Sequence, residues 1–116
     1  MNHKHFFMMA KEIAQAREDD GRQFFHGAVG LRKDGLIVCA SNIRSPGFIP
    51  GCHAETRLSR KMDKGGVVYV VRVRRMDGSF ANSRPCQDCL RAMSRMKIRR
   101  VYYSISDNEY GVIDKL

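Results

Sequence analysis

Val67-Val68-Tyr69-Val70-Val71 is an unbroken apolar run directly after Gly65-Gly66. A strand with one wet face alternates polar and apolar side chains. A strand without alternation is covered on both faces. The chain is therefore expected to place apolar elements above and below one central strand, the arrangement of a layered architecture. After Val71 the pattern Arg72-Val73-Arg74 alternates, so the strand is expected to emerge into solvent there.

The flanking periodicity supplies the layers. Phe6, Met9, Ala10, Ile13 and Ala14 recur at helical spacing and predict an amphipathic helix over 5–19, ended by Asp19-Asp20-Gly21. Residues 24–33 and 36–41 read as strands around Asp34-Gly35, a two-residue hairpin signal. A loop with Pro46, Gly47, Pro50 and Gly51 follows. Ala54, Leu58 and Met62 share one face of a helix over 53–64, stopped by Gly65-Gly66. Residues 76–84 read as a polar loop. Cys89, Leu90, Met93 and Met96 face inward on a helix over 86–97, and strands are expected over 101–105 and 110–114. The order α-β-β-α-β-α-β-β implies a three-layer α/β/α sandwich with a five-stranded mixed sheet. The last two strands are too close in sequence for a crossover connection of a dozen or more residues, so the last strand is expected to run antiparallel to its neighbour.

At 116 residues the chain is expected to form one domain, residues 1–116. No apolar stretch approaches the roughly 20 residues of a membrane span, so no membrane partner is expected. The N-terminal residues lack a signal-peptide pattern, which predicts a cytoplasmic protein. A reducing compartment suits its 4 cysteines as thiols or metal ligands. The 21 basic against 12 acidic residues give a net charge of +9, a field that attracts polyanions without distinguishing nucleotides from single strands.

The chemistry-bearing residues fall in two clusters: His53-Ala54-Glu55, and Pro85-Cys86-Gln87-Asp88-Cys89. One His and two Cys make a three-ligand zinc set with a fourth position open for water, the arrangement of a catalytic zinc. Cys86 and Cys89 stand at i, i+3 in the first turn of a helix, where the helix dipole is expected to lower thiol pKa values. Glu55 is placed to manage the protons of a metal-activated water without binding the metal. That scheme suits hydrolytic removal of an exocyclic amino group and suits amide hydrolysis equally. A structural zinc with Cys52 as fourth ligand is the competing assignment, though adjacent residues rarely converge on one tetrahedral ion.

Cys52-His53-Ala54-Glu55 and Pro85-Cys86-Gln87-Asp88-Cys89 resemble the motifs of the cytidine deaminase-like superfamily, over roughly residues 5–114. The resemblance implies that His53, Cys86 and Cys89 bind Zn2+ and that Glu55 shuttles protons. It implies that Asn42 hydrogen-bonds the base or sugar and that the backbone of Ala54 contacts the base. It also implies a cytosine-to-uracil deaminase acting on a free nucleoside or nucleotide, deoxycytidylate foremost, and a homo-oligomer. The His in the metal set is similar to that of deoxycytidylate and tRNA-adenosine deaminases. The expected antiparallel last strand is similar to that of cytidine and blasticidin deaminases and toxin-type nucleic-acid deaminases. The chain thus resembles compact members of the kind that phages and viruses carry. Two other readings stay open: a deaminase of single-stranded DNA or RNA, with cytosine ahead of adenine, and a non-catalytic zinc module that binds nucleic acid.

Arg84, beside Pro85, is a candidate phosphate contact, with Ser83 and Asn82 as candidates for further hydrogen bonds to the substrate; the competing reading is a solvated loop. Phe24 or Phe25 is a candidate to stack on a base, and Phe80 a candidate pocket wall. Tyr102 and Tyr103 alternate faces and read as packing. Cys39, in an apolar strand, reads as buried. His3, His5 and His26 have no ligand spacing with the motif. Arg57, Arg60, Lys61 and Lys64 form a basic stripe that, with Arg91, Arg95, Arg99 and Arg100, is either a wet surface or a polynucleotide track.

Overall fold

A computed structural model describes residues 2–16, 23–41 and 54–114. Its elements are α1 (His3–Gln15), β1 (Phe24–Leu31), β2 (Ile37–Ser41), α2 (Ala54–Ser59), β3 (Val67–Arg74), β4 (Phe80–Ala81), α3 (Gln87–Arg95), β5 (Arg100–Ser106) and β6 (Glu109–Ile113). The strands form one mixed sheet in the order β2-β1-β3-β5-β6. β3 is its centre, antiparallel to β1 and parallel to β5. β6 runs antiparallel to β5, as the short connection requires.

The apolar run of β3 is divided between two cores by strand parity. Val67, Tyr69, Val71 and Val73 meet Phe7, Ala10 and Ala14 of α1. Val68 and Val70 meet Ala54 and Leu58 of α2 and Cys89 and Met93 of α3. This is the three-layer sandwich. Asn2 caps α1, its side chain accepting from the His5 N–H at 3.1 Å. α1 lies so close to β1 that a Cβ on Gly27 would stand 2.3 Å from the Ala10 carbonyl oxygen. Among the described residues no helix is long and apolar enough to cross a membrane.

Local details differ from the sequence expectation. The segment read as a polar loop contains β4, which pairs antiparallel with β3 at Arg72↔Ala81 and Val73↔Phe80, giving a sixth strand. The β1–β2 connection is longer than two residues: Arg32 N–H donates to the Leu36 carbonyl at 2.9 Å, with Gly35 at φ +94°. α2 ends at Ser59 because Lys61 and Met62 N–H turn back three residues, to Leu58 and Ser59. The basic residues 60, 61 and 64 therefore do not continue one helix face. Cys39 is exposed rather than buried. It pairs with Val29 and so points to the α1 side, on the edge strand β2.

Candidate active site

α2 and α3 pack against each other on one face of the sheet, which brings the two motif halves together. Ala54 is buried as the first residue of α2, and Glu55 follows it. Cys86 is the N-cap of α3, with extended backbone at φ −70° and ψ 169°. Its Sγ lies 3.3 Å from Cys89 Sγ. The Thr56 hydroxyl of α2 donates to Cys89 Sγ at 3.4 Å. Cys86 is exposed and Cys89 buried, so the thiol pair runs from the surface into the core. His53 and Asn42 lie outside the described residues.

Glu55 and Cys86 line one cavity of about 220 Å³ together with His26, Arg72, Asn82, Ser83 and Arg84. The loop that carries the last three is fixed from below. Ser83 is buried, its Oγ 3.0 Å from the carbonyl oxygens of Val70 and Ser104, and its N–H donates to the Ser104 carbonyl. The Ser83 hydroxyl thus ties the loop to β3 and β5. Asn82 Oδ1 accepts from the Arg84 N–H at 2.9 Å. Arg84 Nη1 donates to the Tyr103 hydroxyl at 3.2 Å.

The electrostatics of the Cys89 thiol differ from the helix-dipole expectation. Burial pushes the Cys89 thiol up, and the Glu55 carboxylate adds to the shift; the Thr56 hydroxyl opposes it. A dehydrated thiol beside a carboxylate favours its proton until a cation arrives to share the charge. The sulfur geometry fits such a cation. Two sulfurs bound at about 2.3 Å to a tetrahedral ion stand roughly 3.8 Å apart. The pair needs to open by only about half an ångström from its present spacing.

The pattern of the family described as "Cytidine and deoxycytidylate deaminase zinc-binding region" matches residues 1–105. The chain belongs to this family. Among solved structures, a cytidine deaminase from Burkholderia pseudomallei superposes with a TM-score of 0.75 at 18% identity, covering 98% of this chain and 93% of that one. A cytidine deaminase from Mycobacterium leprae gives 0.60 at 14% identity, covering 97% and 93%. The apo dCMP deaminase of cyanophage S-TIM5 gives 0.58 at 18% identity, covering 89% and 82%. At these identities the likeness is one of fold. No curated protein matches the chain at a significant level.

Within this deaminase fold the cavity includes two residues that sequence reasoning passed over. His26 and Arg72 are cross-strand partners on β1 and β3 and share the face that carries Val68 and Val70. The signal for Arg72 was its parity: a guanidinium at an inward position of the central strand, read instead as the strand leaving the core. Phe24 and Phe25 divide as their alternation implies. Phe25 packs in the α1 core, and Phe24 lies beneath the Arg72 guanidinium. Phe80 does not wall the cavity; it packs beside Phe7 on the opposite face.

Proposed function

We propose that the protein is a zinc-dependent hydrolytic deaminase that converts cytosine to uracil in a free nucleoside or nucleotide, with deoxycytidylate the favoured substrate. The observation that carries this reading is the convergence of Glu55 and Cys86 on one cavity, with Cys89 Sγ 3.3 Å behind that of Cys86. His53, Cys86 and Cys89 would hold Zn2+, which when bound supplies the Lewis acidity that activates water near neutral pH. Glu55 takes the proton of the attacking water and delivers it to the pyrimidine ring nitrogen. It then carries a second proton to the departing amino group, so that cytosine and water become uracil and ammonia. Asn42 orients the base or sugar, and the Ala54 backbone borders the base. Arg84 stands at the mouth of the cavity, held by Tyr103. Ser83 fixes the loop on which Arg84 is presented.

The test offers zinc-loaded protein deoxycytidylate and a cytosine-containing single-stranded oligonucleotide in one tube, beside the Glu55→Gln variant, with products read by mass spectrometry. The expected result is uracil in the mononucleotide, and a variant that keeps zinc but loses turnover by 10²-fold or more. Unchanged turnover in Glu55→Gln would remove Glu55 from the chemistry. Conversion of the oligonucleotide alone would replace the mononucleotide reading.

A further inference from the structure

We propose that Arg72 is the anion-binding residue of the cavity and that it makes the site selective for a cytosine nucleotide carrying a terminal phosphate. The inference rests on the deaminase reading of the cavity and adds to it the group that discriminates nucleotide from nucleoside.

Arg72 is built into the site. It stands on the central strand, on the face that carries Val68 and Val70, and its backbone N–H donates to Ser104 Oγ at 3.3 Å. Its guanidinium carbon sits 3.7 Å from the centroid of the Phe24 ring. That stacking fixes the plane of the guanidinium without using any of its N–H groups. Among the described residues, Arg72 Nε is the one buried side-chain nitrogen or oxygen with no hydrogen-bond partner. Buried donors are almost always satisfied, and an exception calls for a ligand or water. Nε–H and the adjoining Nη–H form the guanidinium edge that matches two oxygens of a phosphate. Such an edge, on a residue that lines the same cavity as Glu55, is suited to the phosphate of a substrate whose base reaches the carboxylate.

A second cation frames the same opening. Arg84 is held by the Tyr103 hydroxyl, and Tyr103 lies flat over Gly111. A Cβ on Gly111 would stand 2.2 Å from Tyr103 Cζ and 2.4 Å from its hydroxyl, so only glycine leaves the ring that position. Among the described residues, the cavity wall carries the guanidiniums of Arg72 and Arg84 against the carboxylate of Glu55. This surplus favours the dianion of a terminal phosphate over the monoanion of an internucleotide link.

The zinc-loaded Glu55→Gln protein, which binds without turning over, is titrated calorimetrically with deoxycytidine, deoxycytidylate and a short cytosine oligonucleotide. Deoxycytidylate is expected to bind at least about tenfold more tightly than deoxycytidine. Adding Arg72→Gln should bring the two affinities within about threefold while leaving that for deoxycytidine unchanged. Arg72→Lys should retain part of the preference, and Arg84→Gln, at an exposed position that does not threaten folding, should reduce it less. Equal affinity for nucleoside and nucleotide in the Arg72 protein overturns the inference. So does an Arg72→Gln protein that weakens both ligands alike or loses zinc, which would assign Arg72 to the fold or the metal set. Oligonucleotide binding tighter than that of deoxycytidylate overturns it as well. These outcomes leave the deaminase reading standing wherever the wild type still deaminates deoxycytidine or deoxycytidylate. Absence of turnover on both in fully zinc-loaded wild type marks the failure of the deaminase reading instead.

Discussion

Two glycines of β1 lie on opposite faces of the sheet and test the layer arrangement by the same substitution. A Cβ at Gly27 would meet the Ala10 carbonyl oxygen at 2.3 Å and the Ala14 nitrogen at 2.9 Å, both backbone atoms of α1. That falls roughly 1 Å short of ordinary contact, so α1 would have to lift off the sheet and loosen Phe7, Ala10 and Ala14 from Val29 and Tyr69. At Gly30 the nearest atom is Met62 Sδ at 2.2 Å, on a flexible side chain that can swing aside. Overpacking against rigid backbone costs about 1–3 kcal/mol. Replacing Gly by Ala returns about 0.4–1 kcal/mol through the unfolded state where φ permits. Gly27→Ala is therefore expected to destabilise by about 2 kcal/mol and Gly30→Ala to stay within about 1 kcal/mol of the parent. In urea, Gly27→Ala should move the midpoint down by about 1 M with an unchanged m-value. Because α1 carries none of the proposed metal ligands, the folded Gly27→Ala protein should still take up zinc. A Gly27→Ala midpoint equal to the parent, or a larger loss at Gly30, would refute the packing of α1 directly on β1.

Zinc should stabilise the fold, by about 4 kcal/mol at a thousandfold excess over its dissociation constant, so a chelator should lower the melting temperature and added zinc restore it. Cys89→Ala should abolish stoichiometric zinc uptake, whereas Ala at the exposed Cys39 should leave metal content unchanged. Burial, with the neighbouring Tyr102 and Tyr110 adding to it, pushes the Tyr69 phenol up to about 12. The neutral form is the one the fold favours, so this stability is fully present below the unfolded value near 10 and is lost as pH rises through 12. Absorbance titration should show one tyrosine ionising only as the protein unfolds, and Tyr69→Phe should remove that step. For a single-stranded oligonucleotide, the dependence of log affinity on log salt should be shallower than the slope of about −2.8 that four phosphate contacts produce.

The sandwich was legible because its signals are local and redundant. The Val67–Val71 run names the central strand, the helical spacing of Phe6, Ala10 and Ala14 names one layer, and the short final connection dictates an antiparallel β6. What escaped was decided by distant partners. β4 has two residues and no periodicity of its own; it pairs because Arg72 and Val73 extend past the end of the β5 ladder. α2 stops short because the chain after it docks on the β1–β2 turn, where Asp63 accepts from the Lys33 N–H at 2.8 Å and the Asp34 N–H at 3.2 Å. The motif spacing named Glu55, Cys86 and Cys89, and the fold brings these three together. It could not reveal Arg72, whose meaning depends on Phe24 beneath it and His26 across from it.

The same distinction changes how the charge of +9 is understood. As a sequence, the stripe from Arg57 to Lys64 looks like a continuous cationic face. In the fold, Arg57 donates to the Ser41 carbonyl and Lys61 Nζ to the Cys39 carbonyl at 2.7 Å, so both cap the carbonyl groups of the edge strand β2. Arg32 pairs with Asp34 at 2.9 Å, and Arg74 Nη1 donates to the Phe80 carbonyl at 2.9 Å. Several of the cations are thus spent on turns and strand edges, where a phosphate would have to displace an existing acceptor. Arg72 differs in kind, since its buried Nε–H has no such acceptor to give up. A charge free to bind at the cavity, rather than the number of charges on the surface, is what should set the choice between a nucleotide and a strand.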